Sequence, residues 1–101
     1  MKIRFEWDPT KADLNLRKHG VSYDTALRVF ADPLARMEQD RIEGGEQRWQ
    51  TLGMVEGFLL LLVAHTIRDE DEDGHSVEVV RIISARMADR KERRRYEQET
   101  R

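Results

Sequence analysis

The sequence contains no cysteine, which excludes disulfides and thiolate metal sites. It has no apolar run approaching the roughly 20 residues that a membrane-spanning helix needs, the longest being Leu59 to Ala64. With two prolines and six glycines, it has no Pro-rich linker and no low-complexity tract or repeat that would mark a second domain. Gly44-Gly45 lacks the Lys and helix start of a phosphate-binding loop. Ser22 and Ser84 lack the context of a nucleophile elbow and read as cap or turn residues. His19, His65 and His75 share no metal-ligand spacing, so no metal site and no cofactor is expected. The Met1 start leads straight into an alternating pattern, and residues 1–101 read as one soluble cytoplasmic domain with a single modest core.

Excess charge of one sign is also missing, since the formal net charge is −2. That argues against nucleic-acid binding by bulk electrostatics, but the charges are segregated. Asp69 to Asp73 form an acidic block, and Arg86, Arg90, Lys91, Arg93, Arg94 and Arg95 a basic one. The acidic block reads as a solvated loop, because a calcium-binding loop would need regularly spaced oxygen ligands and a downstream Glu. The basic block can still hold phosphates locally.

What is present is organised around Val77 to Arg86. This β-branched run suits the most central strand of a sheet, buried on both faces. Glu78, Arg81 and Arg86 within it either anchor salt bridges or line a site, because a core strand otherwise excludes charge. Strict alternation puts Glu78 and Arg86 on one face and Arg81 on the other unless a bulge intervenes. Arg81 could equally pair with a helix carboxylate.

The rest of the chain supplies the scaffold. Lys2 to Trp7 alternates as a half-exposed strand. Asp8-Pro9 starts a helix that Gly20 ends, with Arg17, Lys18 and His19 in its last turn. Ser22 caps a second helix with Tyr23, Ala26, Leu27 and Phe30 on one stripe, and Val21 can staple onto Ala26. Asp32-Pro33 stops it. Strands are predicted at Leu34 to Gln39, Gln47 to Val55 and Phe58 to Ile67, with a two-residue turn at Glu56-Gly57. Residues Met87 to Glu99 favour a helix whose poor apolar stripe predicts a loose fit or a covering partner. The fold class is α+β, a small antiparallel sheet of four to five strands with two N-terminal helices and one C-terminal helix.

A cluster of Arg, Glu and His can cut RNA without a metal. The ribose 2′-hydroxyl attacks the adjacent phosphorus, so a base, cations for the phosphorane and an acid for the 5′-oxygen are required. Glu78 or His19 could be the base, and Arg68, Arg81 and Arg86 the phosphate ligands. His19 or Lys18 could be the acid. A non-catalytic RNA- or protein-binding module built on the same surface remains the alternative.

Phe5-Glu6-Trp7-Asp8-Pro9 with Lys11-Ala12, Lys18-His19-Gly20-Val21-Ser22, Val29-Phe30-Ala31-Asp32-Pro33, and Arg81 to Arg86 with Glu92 and Tyr96 resemble, in order, the motifs of the BrnT toxins. The resemblance implies a fold like that of the RelE ribonuclease toxins and a type II toxin–antitoxin role. It further implies metal-independent RNA cleavage that arrests growth, and neutralisation by a BrnA-type ribbon-helix-helix antitoxin that reaches DNA on the toxin's behalf. By motif match, Arg68, Glu78, Arg81 and Arg86 become the active-site candidates. Lys18, His19, Arg90 and Arg94 become RNA contacts, and Tyr96 either stacks on a base or packs back on the sheet.

Overall fold

The computed structural model describes residues 2–99; Met1, Thr100 and Arg101, the ends of the expected 1–101 span, lie outside them. Strand β1 (Lys2–Glu6) leads into helix α1 (Pro9–His19), then the short helix α2 (Tyr23–Ala26) and a 3-10 segment (Leu27–Ala31). Strands β2 (Arg36–Glu43), β3 (Glu46–Val55), β4 (Leu59–Glu72) and β5 (His75–Met87) follow, and helix α3 (Arg90–Glu99) closes the chain. The sheet order is β1-β5-β4-β3-β2. The strand at the centre is therefore β4, with the expected organising strand β5 beside it.

The five strands and three helices match the expected α+β class, but the sheet is mixed. β1 runs parallel to β5, Lys2 facing Val77 and Glu6 facing Arg81, whereas the other pairs are antiparallel. Alternation identifies a strand without giving its direction, so the sequence left this pairing unspecified.

Both helix caps read from the sequence are present. The Asp8 side chain accepts from the Thr10 amide at 2.9 Å, the Ser22 hydroxyl accepts from the Thr25 amide at 3.1 Å, and Gly20 takes the left-handed conformation at φ 71°. The second helix tightens into a 3-10 turn after Ala26, where the backbone of Val29 comes against β3. A Cβ on Gly53 would lie 2.8 Å from that of Val29, so only glycine permits the approach.

The acidic block is not a loop. Asp69 to Glu72 continue β4 in register with His75, Ser76, Val77 and Glu78, and the reversal is the two-residue turn Asp73-Gly74, both at positive φ. The turn after β3 spans three residues, Glu56 to Phe58, because Val55 pairs with Leu59.

The core has two layers. Val21, Tyr23, Ala26 and Val29 pack on Val55, Leu61, Val63, Ile82 and Ala85 on one face of the sheet. Tyr96 of α3 packs on Leu52, Leu60 and Leu62 on the other. Each such apolar side chain contributes about 1.5–3 kcal/mol by leaving water. The thin apolar stripe of α3 is supplemented by charge, with ion pairs from Arg95 to Glu38 and from Arg36 to Glu99. α3 thus rests on the sheet through Tyr96 and these half-exposed ion pairs, the narrow seat its poor apolar stripe predicts.

Candidate functional site

The arrangement of the candidate residues turns on one irregularity. Ala64 pairs with Ser84 but His65 pairs with Ile82, so Ile83 is an extra residue in β5. Such a bulge reverses the facing of everything beyond it. Arg81 and Arg86 consequently share the α3 face with Arg68, and Glu78 lies on the opposite face, between Ile3 and Asp69. The expected grouping of Glu78 with Arg86 is therefore corrected: Glu78 cannot reach a phosphate held by either arginine.

Two side chains hold this bulge in place along the edge of β5 left free once β1 ends. Asn15, 7% exposed in the middle of α1, donates to the carbonyl of Ala85 at 2.8 Å and accepts from its amide at 3.1 Å. It also donates to the Val21 carbonyl at 3.1 Å. The Tyr23 hydroxyl donates to the Ile83 carbonyl at 2.6 Å. Burial, with Asp8 nearby, raises the Tyr23 pKa and keeps it a donor. Sequence reading assigned Asn15 no role, although a buried Asn amid helix formers is itself a signal that its amide bonds elsewhere.

Each arginine on the shared face has a carboxylate partner. Arg86 makes two hydrogen bonds to Glu92 at 2.8 and 2.9 Å, which raise its pKa and lower that of Glu92. Glu92 also accepts from the Asp89 amide, while Asp89 accepts from the Glu92 amide. This reciprocal box starts α3 and ties its first turn to the end of β5. Arg81 pairs with Glu46 at the start of β3. Arg68 spends its donors on Glu6 and Glu70, while Arg4 holds Glu70 and Glu72. The hydrogen bond from Arg68 lowers the pKa of both Glu6 and Glu70.

That last network is a structural cover. Val79, fully buried, lies in register between Arg4 and Arg68, so their hydrocarbon stems take the place a helix fills elsewhere. It engages Arg68 with two carboxylates and neutralises the two acidic residues, Glu70 and Glu72, that share its face. Arg81 and Arg86 remain. Between their rows lies a floor of small side chains, Ala64 and Ser84, about 13–14 Å from one row to the other at strand spacing.

The other candidates lie apart. Lys18 and His19 line a shallow depression with Lys11 and Ile83 on the α1 side. Arg90 and Arg94, one helical turn apart, are exposed on α3. Tyr96 is 6% exposed, and its hydroxyl donates to Asp32 at 2.6 Å. Burial and that bond push its pKa up to about 12. Tyr96 is therefore a packing residue rather than an exposed stacking platform. Burial raises the Asp32 carboxyl, but the bonds from Tyr96 and from the Met54 and Leu34 amides outweigh it and hold the pKa below the usual range.

This combination of a bulged penultimate element, a capped basic helix and two arginines over a small-residue floor can be set beside known proteins. The model of the family described as "Ribonuclease toxin, BrnT, of type II toxin-antitoxin system" matches residues 7–92. The chain belongs to the BrnT family. The crystal structure of the Brucella abortus ribonuclease toxin, BrnT, is similar in fold, with a TM-score of 0.57 at 18% identity over 89% of this chain and 100% of that one. Among curated proteins, none matches the sequence significantly. The BrnT match covers Arg81, Arg86 and Glu92, and it also covers Glu46, the carboxylate on Arg81 that sequence reading overlooked. Its signal was weak, because a Glu after Gly44-Gly45 reads as an ordinary hairpin residue. Among the described residues no three potential metal-ligating side chains converge, and no helix is long and apolar enough to cross a membrane.

Proposed function

We propose that this chain, acting as one domain over residues 1–101, is a toxin that cuts RNA in the cytoplasm without a metal ion. In this reading the RNA lies across the Ala64–Ser84 floor with Arg81 and Arg86 at either end. The observation that carries it is the bulge at Ile83, which puts both guanidinium groups on one open face.

Glu46 is the base that takes the 2′-hydroxyl proton, because it is the half-exposed carboxylate already in contact with Arg81. The 2′-oxygen bonds to phosphorus, the bond to the 5′-oxygen breaks, and that oxygen takes a proton from water. Arg81 stabilises the charge that builds on the phosphorane, and Arg86 holds a neighbouring phosphate of the strand. Arg90 and Arg94 grip the flanking backbone. A BrnA-type ribbon-helix-helix antitoxin neutralises the toxin and carries any contact with promoter DNA.

One observation favours the rival reading of a non-catalytic RNA- or protein-binding relative: each arginine of the face is already paired with a carboxylate. Purified chain and single-stranded RNA in excess chelator distinguish the two. The toxin reading expects products ending in 2′,3′-cyclic phosphate, a loss of about 10²–10³-fold in rate for Arg81→Ala and about 10²–10⁴-fold for Glu46→Gln. Cleavage only when divalent cations are restored overturns metal independence, and binding without cleavage under any condition establishes the rival.

A further inference from the structure

Beside the Ala64–Ser84 floor, Thr66 is 1% exposed, and its hydroxyl oxygen is buried without a hydrogen-bond partner among the described residues. Such orphans are rare in a well-packed domain, since valine fills the same volume without stranding a polar atom. Its neighbour on the opposite face shows the ordinary solution: buried Thr51 places its hydroxyl 2.7 Å from the ring nitrogen of His65.

The surroundings of Thr66 are cationic. Arg81 stands opposite it on β5. On the other flank, continuing the Trp49–His65 register by one residue brings Arg48 of β3 alongside, on the same face by alternation. The Nε of Arg48 is likewise buried and without a partner. A hydroxyl and two guanidinium groups therefore converge, and these are donors that share no acceptor. The negative charge near them comes from Glu43, 3.0 Å from Arg48, from Glu46 on Arg81, and from Glu6, which faces Arg81 on β1 and is held by Arg68. Glu43 and Glu46 flank the exposed turn at Gly44 and Gly45, whose backbone is left-handed at both positions.

We propose that Thr66, Arg48 and Arg81 form a subsite for one phosphodiester group of a bound RNA strand, with the Thr66 hydroxyl donating to a non-bridging oxygen once the side chains that cover it swing aside to meet the phosphate. The inference rests on the ribonuclease reading above and deepens it. Guanidinium forks suit phosphate oxygens, and a planar fork on each side leaves the third contact to a short, fixed donor from the sheet itself. The carboxylates of the β2–β3 turn hold the arginines in place of the phosphate until RNA arrives. Arg86, at the far end of the floor, then meets a different phosphate of the same strand.

The test uses the full chain, a single-stranded 2′-O-methyl RNA oligonucleotide that cannot be cut, and fluorescence anisotropy at fixed salt. Thr66→Val is expected to melt at or above the wild-type temperature while binding about tenfold more weakly, the loss of one charge-assisted hydrogen bond. Thr66→Ser, which keeps the hydroxyl, retains wild-type affinity. Arg48→Ala lowers the slope of log affinity against log salt by about 0.7. Wild-type affinity in Thr66→Val overturns the subsite and leaves the nuclease reading intact where the wild-type chain still cuts RNA. Equal loss in the Val and Ser variants overturns it as well. A wild-type chain that binds the oligonucleotide but cuts nothing defeats the nuclease reading, and the Val–Ser contrast still decides the subsite.

Discussion

Replacing Asn15 by alanine removes the amide that holds the bulged end of β5. The Asn15 side chain makes three hydrogen bonds to backbone groups, two with Ala85 and one with Val21, at 2.8–3.1 Å. All three groups lie in the buried layer between α1 and the sheet, where water reaches them poorly. At about 1 kcal/mol for each bond, the expected loss is about 3 kcal/mol. For a domain of this size that corresponds to a fall of about 12–24 °C in Tm. Asn15→Asp is the informative companion: its carboxylate still accepts from the Ala85 amide but meets two carbonyl oxygens with no donor, so it is no milder than alanine. Thermal unfolding by circular dichroism measures the loss, and hydrogen exchange at the Ala85 amide localises it. A loss under about 1 kcal/mol with the Ala85 amide still protected refutes the reasoning, because those groups then find other partners.

Further expectations concern separate parts of the molecule. Burial holds the His65 pKa at about 4, against an ordinary 6.5, with only the Thr66 carbonyl opposing. The unfolded chain therefore binds a proton first as pH falls, so stability is full above pH 6.5 and declines toward pH 4 by at most about 3 kcal/mol; His65→Gln should flatten that part of a denaturation series. Arg68→Ala should lower the melting temperature by uncovering Val79 and removing the two hydrogen bonds to Glu6, Glu70 keeping its bond to Arg4, with RNA cleavage per folded molecule close to wild type. A large loss of turnover with unchanged melting would instead return Arg68 to the active site. Removing Arg90 and Arg94 together should reduce the salt slope of single-stranded RNA binding by about 1.4. An unchanged slope would show that α3 presents its cations to something other than RNA.

The sequence revealed elements more readily than their relations. Asp8, Gly20 and Ser22 act within one turn of themselves, so their cap signals were legible and the first two helices fell where expected. The Asp73-Gly74 turn was equally local, but five consecutive acids suggested a loop and hid it. The parallel seat of β1 depends on a partner far along the chain, which periodicity does not encode. The grouping of candidate residues failed for a specific reason. Alternation counts by twos, and one extra residue at Ile83 invalidates the count for everything after it. Arg81 and Arg86 were recognisable as unusual charges in a β-branched run, but their common face was not. Glu46, Arg48 and Thr66 look unremarkable in sequence because only cross-strand register brings them to Arg81.

The pairing of β1 with β5 has a consequence for how the protein is made. Strand β1 has no partner in the sheet until Val77 to Arg81 have been translated. Contacts this remote in sequence close late. The roof of Arg4, Glu6, Arg68, Glu70 and Glu72 straddles that same junction, so it too forms at the end. Until β5 is added, the growing chain lacks its organising strand and the arginine face is unbuilt. If that face is the toxic one, it is assembled only once β5 has joined the sheet.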